Sequence, residues 1–217
     1  MCFSAMASFS AVAALLVIGS MTCRSARTAS EVPFAAVPLL FAIQQSIEGV
    51  LWLSFSNEQP GLSAAMTYAF VLFSHVLWPV LVPLAVMLIE PPGPRRRALL
   101  AFVVAGVAVS AGLLVDIARH GVVSRPSGHH IEYVMPYELA KLGMSLYLLS
   151  TSMSLLVSSH RAVKTFGMLA LLLFAVTAFA YETWLVSVWC YFAALLSIVV
   201  LGYFRPGLFR LGRFSRA

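Results

Sequence analysis

The chain has 217 residues, of which 61% are hydrophobic and only 10% charged. Soluble domains carry about 25% charged residues, so the composition excludes an ordinary water-soluble fold and points to an integral membrane protein. The net charge of +6 does not indicate nucleic acid, because the basic residues sit in short clusters between long apolar runs. Cys2, Cys23 and Cys190 are far apart and make no CxxC, so no disulfide framework or zinc knuckle is readable.

A membrane-spanning helix needs about 20 mostly apolar residues. Seven runs meet that requirement, approximately 4–22, 32–55, 63–89, 98–117, 134–158, 162–181 and 184–203. They predict an all-α polytopic bundle of about seven transmembrane helices in one domain, 1–217, ending in a basic tail over 204–217. The fifth run carries Glu138 and Lys141 near its start, and only Glu182 and Thr183 separate the sixth from the seventh.

Seven spans place loops on alternate sides. Eleven of the fourteen basic residues then fall on one side, from Arg24 and Arg27 through Arg95, Arg96, Arg97, Arg161 and Lys164 to Arg205, Arg210, Arg213 and Arg216. Basic loops stay in the cytoplasm, so the N-terminus is expected outside and the C-terminus inside, with the plasma (inner) membrane as the location. The tail arginines, with Phe204, Phe209 and Phe214 beside them, also suit anionic lipid at the inner surface.

Polar residues within the apolar runs carry the functional signal, since a charge at mid-bilayer costs at least about 2.5 kcal/mol. In the second run Gln44, Glu48 and Trp52 share one helical face, and Gln45 lies beside them. In the third run His75 precedes Pro79 and Pro83, which should kink the helix just beyond it. The depths of Glu48 and His75 are comparable, so the two are expected to meet as a structural clamp, a proton-handling pair or a metal-binding pair. Removal of Met1 would leave Cys2 as a terminal amine and thiol on the same side.

The segment from Arg119 to Glu132 holds His120, His129 and His130. It is read as a solvated loop or a lid over the bundle, with His129 and His130 as further candidate metal ligands. Asp116 and His120 are spaced to pair if the fourth helix extends that far, and Glu138 and Lys141 are spaced to pair at the start of the fifth. In the last run Ser187, Cys190, Ala194 and Ser197 form a small-residue stripe suited to close packing.

The opening Met1-Cys2-Phe3-Ser4-Ala5 resembles that of a bacterial family of uncharacterised small integral membrane proteins. The stretches IQQSIEGVLW (43–52), HVLWP (75–79) and SVWCYFAALLS (187–197) are similar to the same family. The resemblance implies a multi-helix membrane architecture and no particular activity.

Two functional readings follow from the residues. The first is a membrane-embedded metalloprotein, with an enzymatic role left open. Its outward-facing site would use Cys2, Glu48 and His75, with His129 or His130, to hold zinc or copper. The second is a proton-coupled transporter or channel whose path is lined by Glu48, His75 and the Glu138–Lys141 pair, these carboxylates and the lysine being the candidates for acid–base chemistry. The orientation has its own test. A reporter fused after Ala217 is expected to be active only in its cytoplasmic form, and activity outside would overturn the orientation.

Overall fold

The computed structural model describes residues 4–135 and 140–209, and the side chains of these apart from 140–142, 144 and 208–209. Among the described residues six helices are long and apolar enough to cross a membrane. They are α1 (Ala5–Ser25), α2 (Ala29–Ser56), α3 (Pro60–Ile89), α4 (Pro94–His120), α6 (Arg161–Ala180) and α7 (Glu182–Phe204). Between α4 and α6 lie a β-hairpin, β1 (Val123–Ser127) and β2 (His130–Val134), and a seventh helical segment, α5, over residues 140–157. Apolar side chains stand out from the outer faces, among them Leu100, Val104, Leu172 and Phe179, the last 94% exposed. Surface of this kind is what a bilayer would cover.

Two features differ from the expectation. The predicted all-α fold contains an antiparallel hairpin, with Arg125 opposite Glu132 and Ser127 opposite His130. Gly128 takes φ 60° as the first residue of its two-residue turn, a position that favours glycine. Ile131 and Tyr133 point into the protein while their neighbours remain more open, the alternation of a half-buried strand. The run expected at 134–158 is thereby divided, because its first residue belongs to β2. The helical segment described there is α5, over residues 140–157.

Glycines set the closest helix contacts. Gly19 receives the Leu39 side chain and Gly49 receives the Phe9 ring, so α1 and α2 lie against each other along their length. Thr22 adds a bond to this pair by donating its hydroxyl to the Ala35 carbonyl at 2.7 Å.

The irregularity in α3 is a π-turn over Leu72–Leu77, and His75 sits within it. Pro79 has no N–H for the His75 carbonyl, and its ring crowds that carbonyl, so a regular α-helix cannot pass this point unaltered. Pro83 likewise gives no N–H to the Pro79 carbonyl, which instead faces α4 at Gly106. Ser110, one turn further along α4, donates to the Val76 carbonyl at 2.8 Å.

A second π-turn, Leu149–Met153, interrupts α5. There the hydroxyls of Ser150 and Thr151 both donate to the Tyr147 carbonyl at 2.9 Å, and Ser154 donates to Thr151. Side-chain competition for helix carbonyls of this sort bends helices. The two irregular turns lie on neighbouring elements, both packed against α4.

The α3–α4 contact yields a paired prediction. A Cβ at Gly106 would run into the Pro79 carbonyl, whereas one at Gly112 meets nothing. Gly106→Ala should therefore destabilise the detergent-solubilised protein by about 1–3 kcal/mol in thermal unfolding. Gly112→Ala should be neutral or slightly stabilising. Equal behaviour of the two variants would refute this account of the contact.

Candidate functional site

The buried face of α2 presents Gln44, Gln45 and Glu48 to the bundle interior, each no more than 3% exposed. Glu48 Oε1 accepts a hydrogen bond from the Ser187 hydroxyl of α7, and Oε2 accepts one from Gln45 Nε2 at 3.4 Å. Gln44 accepts from the Trp78 indole N–H at 2.7 Å and lies against Cys190. Phe41 stacks on the Trp78 ring at 4.2 Å, which holds the indole in place. The small-residue stripe of α7 is fully buried, as packing requires, but Ser187 also supplies a donor to a carboxylate.

His75 is buried in the α3 π-turn, and its Nδ1 is 2.7 Å from the Ser74 hydroxyl. The ring borders a cavity of about 150 Å³ that Tyr133, Tyr147, Trp189 and Cys190 also line. A cavity of that size holds roughly one benzene-sized group. Tyr133 comes from the hairpin and is stacked on Phe70 of α3, with ring centres 4.7 Å apart. Its hydroxyl is buried without a hydrogen-bond partner among the described residues. Burial, with the nearby Glu48 carboxyl adding to it, holds the Tyr133 phenol well above its usual range, so it remains a neutral hydroxyl.

A second, almost wholly apolar cavity of about 50 Å³ lies beside the first, bordered by Phe34, Phe41, Trp78 and Phe166. Tyr147, Trp189 and Cys190 line both cavities. The Tyr147 and Trp189 rings meet edge to face at 5.5 Å, and Phe174 braces Trp189 from another side at 5.4 Å. These rings form the partition between a chamber near the hairpin that carries a few polar groups and an apolar one deeper in the bundle.

The residues singled out from the sequence are distributed as follows. Glu48 and His75 are both buried and both approach the residues around Cys190, but each is bonded to its own serine. Among the described residues no hydrogen bond or ion pair joins them. His130 does not turn toward them. It stacks on Trp184 at 4.5 Å and meets the edge of Tyr181, and burial lowers its imidazole below the usual range. His129 is exposed at the hairpin turn. Asp116 and His120 form no ion pair among the described residues. Cys2 and Glu138, like the side chain of Lys141, lie outside the described residues. Among those described, no three His, Cys, Asp or Glu side chains gather as a metal would require. Tyr133, Tyr147 and Trp189 gave no polar-in-apolar signal in the sequence, because aromatic residues in apolar runs are ordinary core.

The hairpin carries an ion pair, Arg125 Nε to Glu132 Oε2 at 2.8 Å. The hydrogen bond from Arg125 holds the Glu132 carboxyl below its usual range, although exposed pairs of this kind add little stability.

At the opposite end of the bundle Glu90, just past α3, is 3% exposed. It accepts from the Ser158 hydroxyl at 2.9 Å and from the Ser159 backbone N–H. His160 closes the same corner by contacting the Ile89 carbonyl and meeting the Tyr203 ring edge-on. Burial alone would raise the Glu90 carboxyl. The Ser159 and Ser158 bonds and the neighbouring His160 outweigh it and hold the carboxyl below its usual range.

Fold and site together define a multi-helix bundle, dressed in apolar side chains, with a buried carboxylate and, at the edge of an interior cavity, a buried imidazole. The chain belongs to a family of unknown function (DUF6629), whose family model matches residues 1–208. No curated protein and no solved structure matches it.

The Glu90 corner gives a pH prediction with a definite sign. A carboxyl held low in the folded state stabilises above the ordinary pKa of about 4.3, and that contribution is lost as pH falls through the lower folded value. Thermal unfolding of the wild-type protein should therefore become easier on acidification. Glu90→Gln should be less stable near neutrality and respond less to acid. A variant with an unchanged acid response would exclude Glu90 as a source of it.

Proposed function

We propose that this is a multi-pass protein of the plasma (inner) membrane, N-terminus outside and C-terminus in the cytoplasm, that couples protons to the movement of a small molecule. Its outward-facing site is built on Glu48 and His75. The observation that carries this reading is the pair of cavities sharing one aromatic partition, Tyr147 and Trp189 with Cys190, with His75 on the hairpin side. Buried ionisable groups in spanning segments mark ion and proton pathways. Two π-turns next to the partition supply the kind of local irregularity at which helices change shape.

The metalloprotein reading needs Cys2 beside Glu48 and His75, with His129 or His130 as an optional further ligand. The separate serine partners of Glu48 and His75, and the seat of His130 on Trp184, favour the transport reading. Metal analysis of the purified protein separates the two. Stoichiometric zinc or copper that is lost in His75→Ala would restore the metal site.

The transport reading is tested in proteoliposomes loaded with a pH-sensitive dye. The wild-type protein is expected to move protons, and Glu48→Gln to reduce that flux by roughly tenfold or more, because the replacement removes the ionisable group on the path. His75→Gln is expected to slow it less. Wild-type liposomes no more proton-permeable than protein-free ones, across a range of added solutes, would overturn the proposal.

A further inference from the structure

The groups around the polar chamber narrow the class of molecule it takes. Three aromatic rings, Tyr133, Tyr147 and Trp189, and the imidazole of His75 face the chamber among aliphatic and small side chains. Each of the first three rings is braced, Tyr133 by Phe70, Tyr147 by Trp189, and Trp189 by Phe174. Fixed aromatic faces attract cations through the ring quadrupole, most strongly where water is excluded.

Glu48 adds a negative charge close by. It is not itself a wall residue, but it is bonded to Ser187, which stands on α7 between Val186 and Cys190, both of which line the chamber. Its two oxygens are held by neutral donors, Ser187 and Gln45, and no cationic side chain pairs with it among the described residues. A buried carboxylate in an apolar bundle is stable when protonated or when a cation sits near it. No described wall residue is Lys or Arg, so none of them offers a fixed positive charge. The volume of about 150 Å³ suits a compact ammonium group and excludes large multi-ring cations. The half-buried side chains of Met135, Leu185 and Val186 mark the hairpin end of the chamber as its mouth.

We infer that the chamber binds a small methylated ammonium group, which exchanges with a proton on Glu48. This rests on the transport reading and names its substrate class. The cation enters as the carboxyl gives up its proton, so the net charge of the site is unchanged. Among the described residues the titratable groups facing this exchange are His75 from α3, Tyr133 from β2, Tyr147 from α5 and Cys190 from α7. The phenols and the thiol bear no charge that competes with the ligand, and only a protonated His75 would oppose it.

The experiment is a titration of purified protein with tetramethylammonium chloride against matched sodium chloride, read by calorimetry and by tryptophan fluorescence. Saturable binding is expected under alkaline conditions and should weaken as the pH is lowered. Glu48→Gln should weaken it roughly tenfold or more, and Glu48→Asp should retain most of it. Tyr133→Phe, which keeps the ring, should bind like the wild type, while Tyr133→Leu should lose roughly three- to tenfold. Repeating the titration in nanodiscs with and without phosphatidylcholine identifies the source. Competition by that lipid points to a headgroup, and its absence points to a free ammonium compound. No saturable binding, or equal binding by a folded Glu48→Gln protein and by Tyr133→Leu, would overturn the inference. Proton flux in the liposome assay would then still stand or fall on its own, with another class of molecule in the chamber.

Discussion

A carboxylate inside an apolar bundle must be supplied with donors, and the organisation around Glu48 follows from that demand. A buried polar group left unsatisfied costs several kcal/mol. Gln45 provides one donor from the same helix, and Ser187 provides the other from α7. The second bond brings the start of α7 against the middle of α2. Close approach is possible because α7 turns Ser187, Cys190, Ala194 and Ser197, all small, toward the interior. Gln44 extends the same polar seam to Trp78 and so ties α2 to α3 directly after the π-turn.

The chamber arises where this seam meets two interrupted helices. His75 lies in one π-turn, and Tyr147 stands just before the other, its carbonyl already taken by two hydroxyls. A regular helix at either place would turn the following residues onto a different face and alter the wall. The hairpin completes the enclosure by inserting Tyr133 over Phe70, and a hydroxyl contact between Thr67 and Ser124 holds β1 to α3. At the far end Glu90 fastens the loop before α6 and shares none of the chamber's residues. The design separates a rigid corner, built from strong charge-assisted bonds, from a region where the helices are already irregular.

Much of the architecture was legible in the apolar runs. Six of the seven agree with long helices to within a few residues, since length and hydrophobicity alone decide such elements. The hairpin was legible in principle and was read as a loop. Its signals were Ser127-Gly128-His129 as a turn between runs containing Val123, Ile131, Tyr133 and Val134, but Pro126 and the two histidines weaken any strand pattern. Glu48 and His75 stood out because ionisable residues in apolar runs are costly. Their actual partners did not, because Ser74 and Ser187 look like any small residue in a spanning helix. Glu90 carries no such signal, because it is the first residue beyond an apolar run and its partners Ser158 and Ser159 lie nearly seventy residues away in sequence. The π-turns left partial traces. Pro79 foretold an irregularity near His75, and the serine–threonine run at 150–154 carried the other. Neither trace specifies which turn geometry relieves the conflict.

The account turns on Glu48 as a titrating carboxyl held between α2 and α7, and infrared difference spectroscopy tests that most directly. Spectra recorded as the pH is stepped should contain one carboxyl C=O band that disappears in Glu48→Gln. The same band should shift in Ser187→Ala, because that variant removes the donor to Oε1. A band that titrates, vanishes with Glu48 and moves with Ser187 is the predicted result. A spectrum with no pH-dependent band assignable to Glu48, or with a Glu48 band indifferent to Ser187, would contradict the account.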